Sequence, residues 1–183
     1  ADSTAAVPLE SAPTVAVSAL TLQHVGAPVP VLDEVTFRAE AGAWTAVVGP
    51  SGAGKTTLLR VLSGILPAGD GVVQWVTDAD DSREPDLREA VWIGQRTVVL
   101  DGTIAENIRL GRASASDAEV RAAAEVAGLS AMLARLPQGL DTRVGDGGVG
   151  VSAGEARRIA VARGALKGAR IWFLDEPTAH LDA

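Results

Sequence analysis

The chain has 183 residues, 47% of them hydrophobic and 21% charged, and a formal net charge of −7. This is a globular rather than a disordered composition, and the length suits one domain with a single sizeable core. The acidic balance argues against nucleic acid as a partner, no apolar run reaches the roughly 18 residues that span a bilayer, and the absence of cysteine removes disulfides and thiolate metal sites.

The opening ADSTAAVPLE has no basic segment followed by an apolar core, so it does not read as a secretory signal. Residues 1–14 read as a linker, rich in Ala, Ser, Thr and Pro. Residues 15–25, 31–39 and 44–48 read as strands by their length and β-branched content. GPSGAG then leads into KTTLLRVLSG, whose apolar spacing predicts a helix ended by Gly64. Residues 71–77 read as a strand, residues 78–86 as a solvated acidic loop, and residues 91–94 as a strand running into Gln95. Ser116 with Glu119 is a capping-box pattern opening a helix that closes near Gly128. A second short helix covers residues 130–136 and stops at Pro137, and a glycine-rich loop follows. Ser152 with Glu155 repeats the capping spacing and opens a helix to about Lys167, within which Gly164 costs about 1 kcal/mol against alanine. Residues 170–174 read as a buried strand feeding Asp175. Strands alternating with helices predict an α/β fold with a parallel sheet.

GPSGAGKT, residues 49–56, matches G-x-x-x-x-G-K-[ST] in full, after a predicted strand and before a predicted helix. A triphosphate needs many donors converging on it. Glycines let backbone N–H groups turn inward, and the helix that follows presents its positive end to the anion. Gly49, Pro50, Ser51, Gly52, Ala53, Gly54, Lys55, Thr56 and Thr57 are therefore the expected nucleotide contacts. Lys55, one of two lysines in the chain, is placed to neutralise phosphate, and Thr56 to hold Mg²⁺. The bland alternative, a glycine-rich turn matching by chance, leaves the surrounding strand and helix signals unexplained.

IWFLDE, residues 171–176, is an apolar strand ending in two acids. In a phosphate-loop protein such a pair divides the work: Asp175 holds the nucleotide's Mg²⁺, and Glu176 orients and polarises the attacking water. A surface acidic turn is the alternative without chemistry. ATP and Mg²⁺ are the expected ligands.

Several stretches together resemble the ATPase domains of ATP-binding cassette transporters. VSAGE, at Val151 to Glu155, is similar to that family's signature segment, Gln95 to its Q-loop glutamine, and TAHLD, at Thr178 to Asp182, to its D-loop. The order of these motifs is also the family's. The resemblance implies a phosphate-loop NTPase with a RecA-like core, an N-terminal antiparallel β subdomain and an inserted helical subdomain at about residues 96–165, the whole occupying residues 15–183. It implies head-to-tail pairing of two such domains, with Ser152, Ala153, Gly154, Glu155 and Asp182 meeting the nucleotide held by the partner, and with Gln95 assisting both metal and catalysis. GTIAENIRLGR and LPQGLDTRVGDGG resemble the exporter branch, where TRVGDGG faces transmembrane domains, so the resemblance places the domain on the cytoplasmic face of the cell membrane. DEPTAHLD resembles exporters serving cytochrome bd assembly, thiol-reductant or haem-linked.

The chain also departs from the family pattern. Ala153 stands where glycine is usual, Glu155 where glutamine is, and Asp146 where exporters carry glutamate. The loop GAPVP lacks an adenine-stacking aromatic, and the chain has no tyrosine; His24 reads as a strand-end histidine. The family's switch histidine lies beyond the D-loop, and His180 is not it. The expectation is a fragment of a larger exporter that binds ATP with weak turnover alone. Two other functions compete: a DNA-repair or chromosome-type ATPase of the same superfamily, and a nucleotide-dependent dimerisation module with little hydrolysis.

Overall fold

A computed structural model describes residues 12–77, 82–146 and 148–176. They divide into two units, one ending at Ala90 and the other beginning at Val91. Most of the expected linker, the acidic residues 78–81 and the D-loop lie outside the described residues.

The first unit is organised by strand β1 (Thr14–Leu22), which pairs antiparallel with β2 (Leu32–Ala39) on one side and β3 (Asp70–Val76) on the other. A two-residue strand, β4 (Ser82–Arg83), completes the sheet in the order β2-β1-β3-β4. The sequence predicts loop there, but Arg83 pairs with the half-buried Glu89, which anchors the segment beside β3. Strand β1 alternates only loosely because its register shifts between Val17 and Leu20. Ala19 at this bulge has φ 47°, and Glu34 opposite has φ 48°. Each N–H that leaves the ladder there finds a threonine hydroxyl: Ala19 donates to Thr36 Oγ1 at 2.9 Å and Glu34 to Thr21 Oγ1 at 3.0 Å.

Helix α1 (Lys55–Leu62) buries Leu58, Val61 and Leu62. Trp75 of β3 is fully buried and donates its indole N–H to Leu62 O at 3.2 Å. The helix ends as predicted. Gly64 takes φ 77°, its N–H reaches Val61 O, and the N–H of Ile65 reaches Arg60 O.

Residues 44–48 are a correction. They form no strand, and Trp44 and Val48 are each 88% exposed. A strand carries no hydrogen bonds of its own and exists only against a neighbouring edge. Among the described residues no backbone partner pairs with this segment, so its β-branched composition is not enough.

The second unit holds β5 (Ala90–Ile93), hydrogen-bonded to β8 (Ile171–Leu174). Between them come α2 (Ile104–Arg109), α3 (Asp117–Val126), α4 (Ser130–Arg135) and α5 (Ala153–Lys167). These helices enclose a core that includes Ile104, Ile108, Val120, Ala124, Leu129 and Ile159. A short antiparallel pair, β6 (Gly102–Thr103) with β7 (Arg143–Val144), seats Val144 in the same core. Capping boxes open α3 and α5 as predicted, and a third, Thr103 with Glu106, opens α2. Gly164 inside α5 has a packing reason. A Cβ there would lie 2.5 Å from the ring of Trp172, so only glycine lets β8 lie that close to the helix.

Candidate functional site

The phosphate loop belongs to the first unit. Gly52 has φ 82° and Gly54 has φ 84°, conformations that an L side chain adopts only with strain. At Gly54 a Cβ would also meet Val31 O at 2.7 Å, so both the backbone twist and the space require glycine. Gly54 is the N-cap of α1, and no side chain caps that helix start and no acid sits in its first turn. Lys55 folds its ammonium onto the loop, donating to Gly49 O at 3.0 Å and Pro50 O at 2.8 Å. The positive end of a helix, a lysine ammonium and glycines without Cβ atoms thus converge on one exposed loop. This fits the phosphates of a nucleotide.

The carboxylates and Gln95 belong to the second unit. Asp175 follows β8 and is 5% exposed, and its N–H donates to Ile93 O at 2.9 Å, continuing the pairing with β5. Glu176 is exposed and has φ 51°, the left-handed region that a glutamate enters at a cost of about 1–3 kcal/mol. A buried acid followed by an exposed one in a strained backbone suits a metal ligand beside a water-facing base. Among the described residues no cluster of three His, Cys, Asp or Glu side chains could hold a metal. Gln95 lines a cleft of ≈ 450 Å³ whose other wall includes Ala153, Ala156 and Arg157 of α5.

The signature segment opens α5. Ser152 Oγ accepts the N–H of Glu155 at 3.2 Å, and Glu155 Oε2 accepts the N–H of Ser152 at 2.9 Å. The other carboxylate oxygen takes Arg135 Nη2 of α4 at 2.7 Å. These bonds hold Glu155 below the usual carboxylate range. The Ser152 backbone N–H is the main cause, with smaller help from the Ser152 hydroxyl and Arg135 and against the opposing effect of burial. Asp182 lies outside the described residues, as does His180. His24 is exposed just past the end of β1.

Two arrangements escaped sequence reasoning. Arg157 donates from α5 to Asp175 O at 3.2 Å and to Gly94 O at 3.4 Å. Arg163 donates to Asn107 O at 2.8 Å, Asn107 Oδ1 at 2.6 Å and Val98 O at 2.7 Å. The T-x-x-E spacing of Thr103 and Glu106 was a readable signal for α2, whereas nothing in the spacing of the arginines marked their acceptors.

Residues 32–179 match the family model described as ABC transporter. The chain belongs to the ABC transporter family. It is 41% identical over 154 residues to ATP-binding cassette sub-family B member 6 of Rattus norvegicus, a match covering 82% of this chain and 18% of that protein. It is 40% identical over 157 residues to the mitochondrial iron-sulfur clusters transporter atm1 of Aspergillus fumigatus, covering 84% and 21%. It is 45% identical over 142 residues to the transport ATP-binding protein AarD of Providencia stuartii, covering 75% and 24%. The chain therefore spans a quarter or less of the length of these curated relatives. A solved bacterial Atm1-family ABC exporter with ATP bound is similar in structure, with a TM-score of 0.82 at 34% identity over 100% of this chain and 32% of the other. ABC membership fixes the fold as the phosphate-loop ATPase domain of that family, in which the antiparallel sheet and the α2–α5 helices are its β and helical parts.

Proposed function

We propose that this chain is the ATP-binding and ATP-hydrolysing motor of an exporter, working head to tail with a second such domain on the cytoplasmic side of a membrane. The observation that carries this reading is the start of α1, where a left-handed glycine, no side-chain cap and the Lys55 ammonium meet. The exporter-type relatives support the transport part. No helix among the described residues is long and apolar enough to cross a membrane. In this reading the membrane path and the choice of cargo belong to the transmembrane domains of the exporter.

In this reading the backbone N–H groups of the loop 49–57, Pro50 having none, and the Lys55 ammonium hold the phosphates. Thr56 in the first unit and Asp175 and Gln95 in the second would each offer an oxygen to Mg²⁺, which would supply neutralisation of phosphate charge. Glu176 accepts a proton from water as its oxygen attacks the γ-phosphorus, and the bond to the β-phosphate oxygen breaks, giving ADP and phosphate. Ser152, Ala153 and Gly154 offer the start of α5 to the nucleotide of the partner domain. One specific observation favours a second reading, a dimerisation module with slow turnover: Ser152 and Glu155 are engaged with each other in the cap. The deciding experiment measures Mg-ATP hydrolysis and the binding of a fluorescent ATP analogue by the transporter assembled with its transmembrane partners. Lys55→Ala should weaken binding at least about 100-fold and stop hydrolysis. Hydrolysis that survives this substitution would overturn the motor reading, and normal binding with no turnover by the unsubstituted protein would favour the module.

A further inference from the structure

Strands β5 and β8 end side by side, and each runs directly into a residue of the proposed chemistry: Gln95 after Gly94, and Glu176 after Asp175. At that end the N–H of Asp175 donates to Ile93 O at 2.9 Å. Just beyond it the chain carries the carbonyls of Gly94 and Asp175, one at the entry to each of these residues. Arg157 reaches both, its Nη2 lying 3.2 Å from Asp175 O and 3.4 Å from Gly94 O. Arg157 is half-buried and shares the wall of the Gln95 cleft. It comes from the first turns of α5, the helix whose start is Ser152.

The peptide that carries Asp175 O also carries the N–H of Glu176, so holding this carbonyl sets the plane from which the Glu176 side chain departs. That plane needs holding, because Glu176 sits at φ 51° and has a more relaxed backbone available if released. The peptide of Gly94 O likewise leads into Gln95. Both bonds leave one nitrogen, Nη2, whose two N–H groups are held in the rigid guanidinium plane, whereas an ammonium on a flexible stem would have to be oriented afresh.

We propose that Arg157 is a positioning residue for ATP hydrolysis: it fixes the peptides entering Gln95 and Glu176 and ties both to the helix that begins at Ser152. This rests on the motor reading above. These two contacts of Arg157 are to backbone carbonyls, so its loss should act on the chemical step and spare nucleotide binding. The test compares Arg157→Met, which keeps the apolar stem and removes every donor, with Arg157→Lys in the assembled transporter. ATPase rate is followed against Mg-ATP concentration, with analogue binding and thermal melting measured alongside.

Arg157→Met should lower kcat about 30-fold with KM within about twofold of the parent, and Arg157→Lys should lower kcat only about threefold. A general loss of folding would instead reduce binding and melting temperature together. Parent-level kcat in Arg157→Met, a rise in KM that accounts for the whole loss, or a Lys variant as impaired as the Met variant would each overturn the proposal. If the Met variant is not recovered folded, the Lys variant decides: a threefold kcat loss at constant KM supports the assignment, and the parent's kcat overturns it. An unsubstituted protein without ATPase activity overturns the motor reading and this inference with it, whereas Arg157 failing alone leaves the motor reading standing.

Discussion

Helix α1 and helices α2, α3 and α5 solve the same problem in opposite ways. Every helix start exposes N–H groups that the helix cannot satisfy itself. In the second unit Thr103, Ser116 and Ser152 each accept one of these N–H groups, and Glu106, Glu119 and Glu155 each reach back to the N-cap. In the first unit α1 starts at Gly54, which has no side chain, and has no acid in its first turn. A carboxylate there would repel phosphate and occupy its donors, so the missing cap is what an anion site requires. Helix α5 combines the two, because its cap uses the same Ser152 that the signature reading offers to a phosphate. Satisfying a helix internally and leaving it ready for a ligand are therefore choices legible in two or three residues.

The largest way to break this comparison is at the chemistry that the α1 site serves. Glu176→Gln keeps the size of the side chain and removes the base. Hydrolysis should fall about 100-fold or more while analogue binding stays at the parent level, trapping a nucleotide-filled dimer visible by size-exclusion chromatography. Unchanged turnover would assign the water to another group. A smaller effect separates the two kinds of glycine. Gly54→Ala meets both a positive φ of 84° and a Cβ contact of 2.7 Å to Val31 O. Gly168→Ala, at the end of α5, meets a φ of 70° and open space. Both should lose roughly 1 kcal/mol of stability from backbone strain, with Gly54→Ala losing more. Only Gly54→Ala should weaken nucleotide binding, by about tenfold or more. Equal binding by the two variants would mean that the left-handed cap does not shape the site.

The parts readable in advance were those governed by local chemistry. The phosphate loop, two of the three capping boxes and the glycine ends of α1 and α3 depend on residues a few positions apart, and the structure shows each of these helix ends formed. The third box, Thr103 with Glu106, is equally local, its T-x-x-E spacing being of the same kind. What sequence could not supply depends on distant partners. Residues 44–48 have strand composition, yet strand state needs an edge to pair with. Gly164 reads as a small penalty until Trp172 is seen lying against it. Arg157 reads as one of two adjacent helical arginines until the ends of β5 and β8 gather beneath it. No periodicity carries information of that kind, because the acceptors are backbone carbonyls that every residue has.

The smallest predicted effect is the response of the α5 cap to acid. The Ser152 backbone N–H is the main reason that Glu155 lies below its ordinary value of 4.5 in the folded chain. A carboxylate lowered on folding binds its proton less tightly in the native state than in the unfolded one. Its stabilising contribution is therefore complete above pH 4.5 and disappears as pH falls through the lower, folded value. Glu119 in the α3 cap is lowered in the same direction, chiefly by the Ser116 backbone N–H, so thermal melting should decline in acid for both helices. Glu155→Gln isolates one of them. Its amide oxygen can still accept the Ser152 N–H, but it no longer titrates and loses the charge facing Arg135. The variant should show a shallower fall in melting temperature below pH 4.5 and, with a negative charge removed from the start of α5, ATP turnover at neutral pH no lower than the parent's. If the acid response is unchanged, the α5 cap does not depend on an ionised carboxylate, and α5 resembles uncapped α1 more than capped α3.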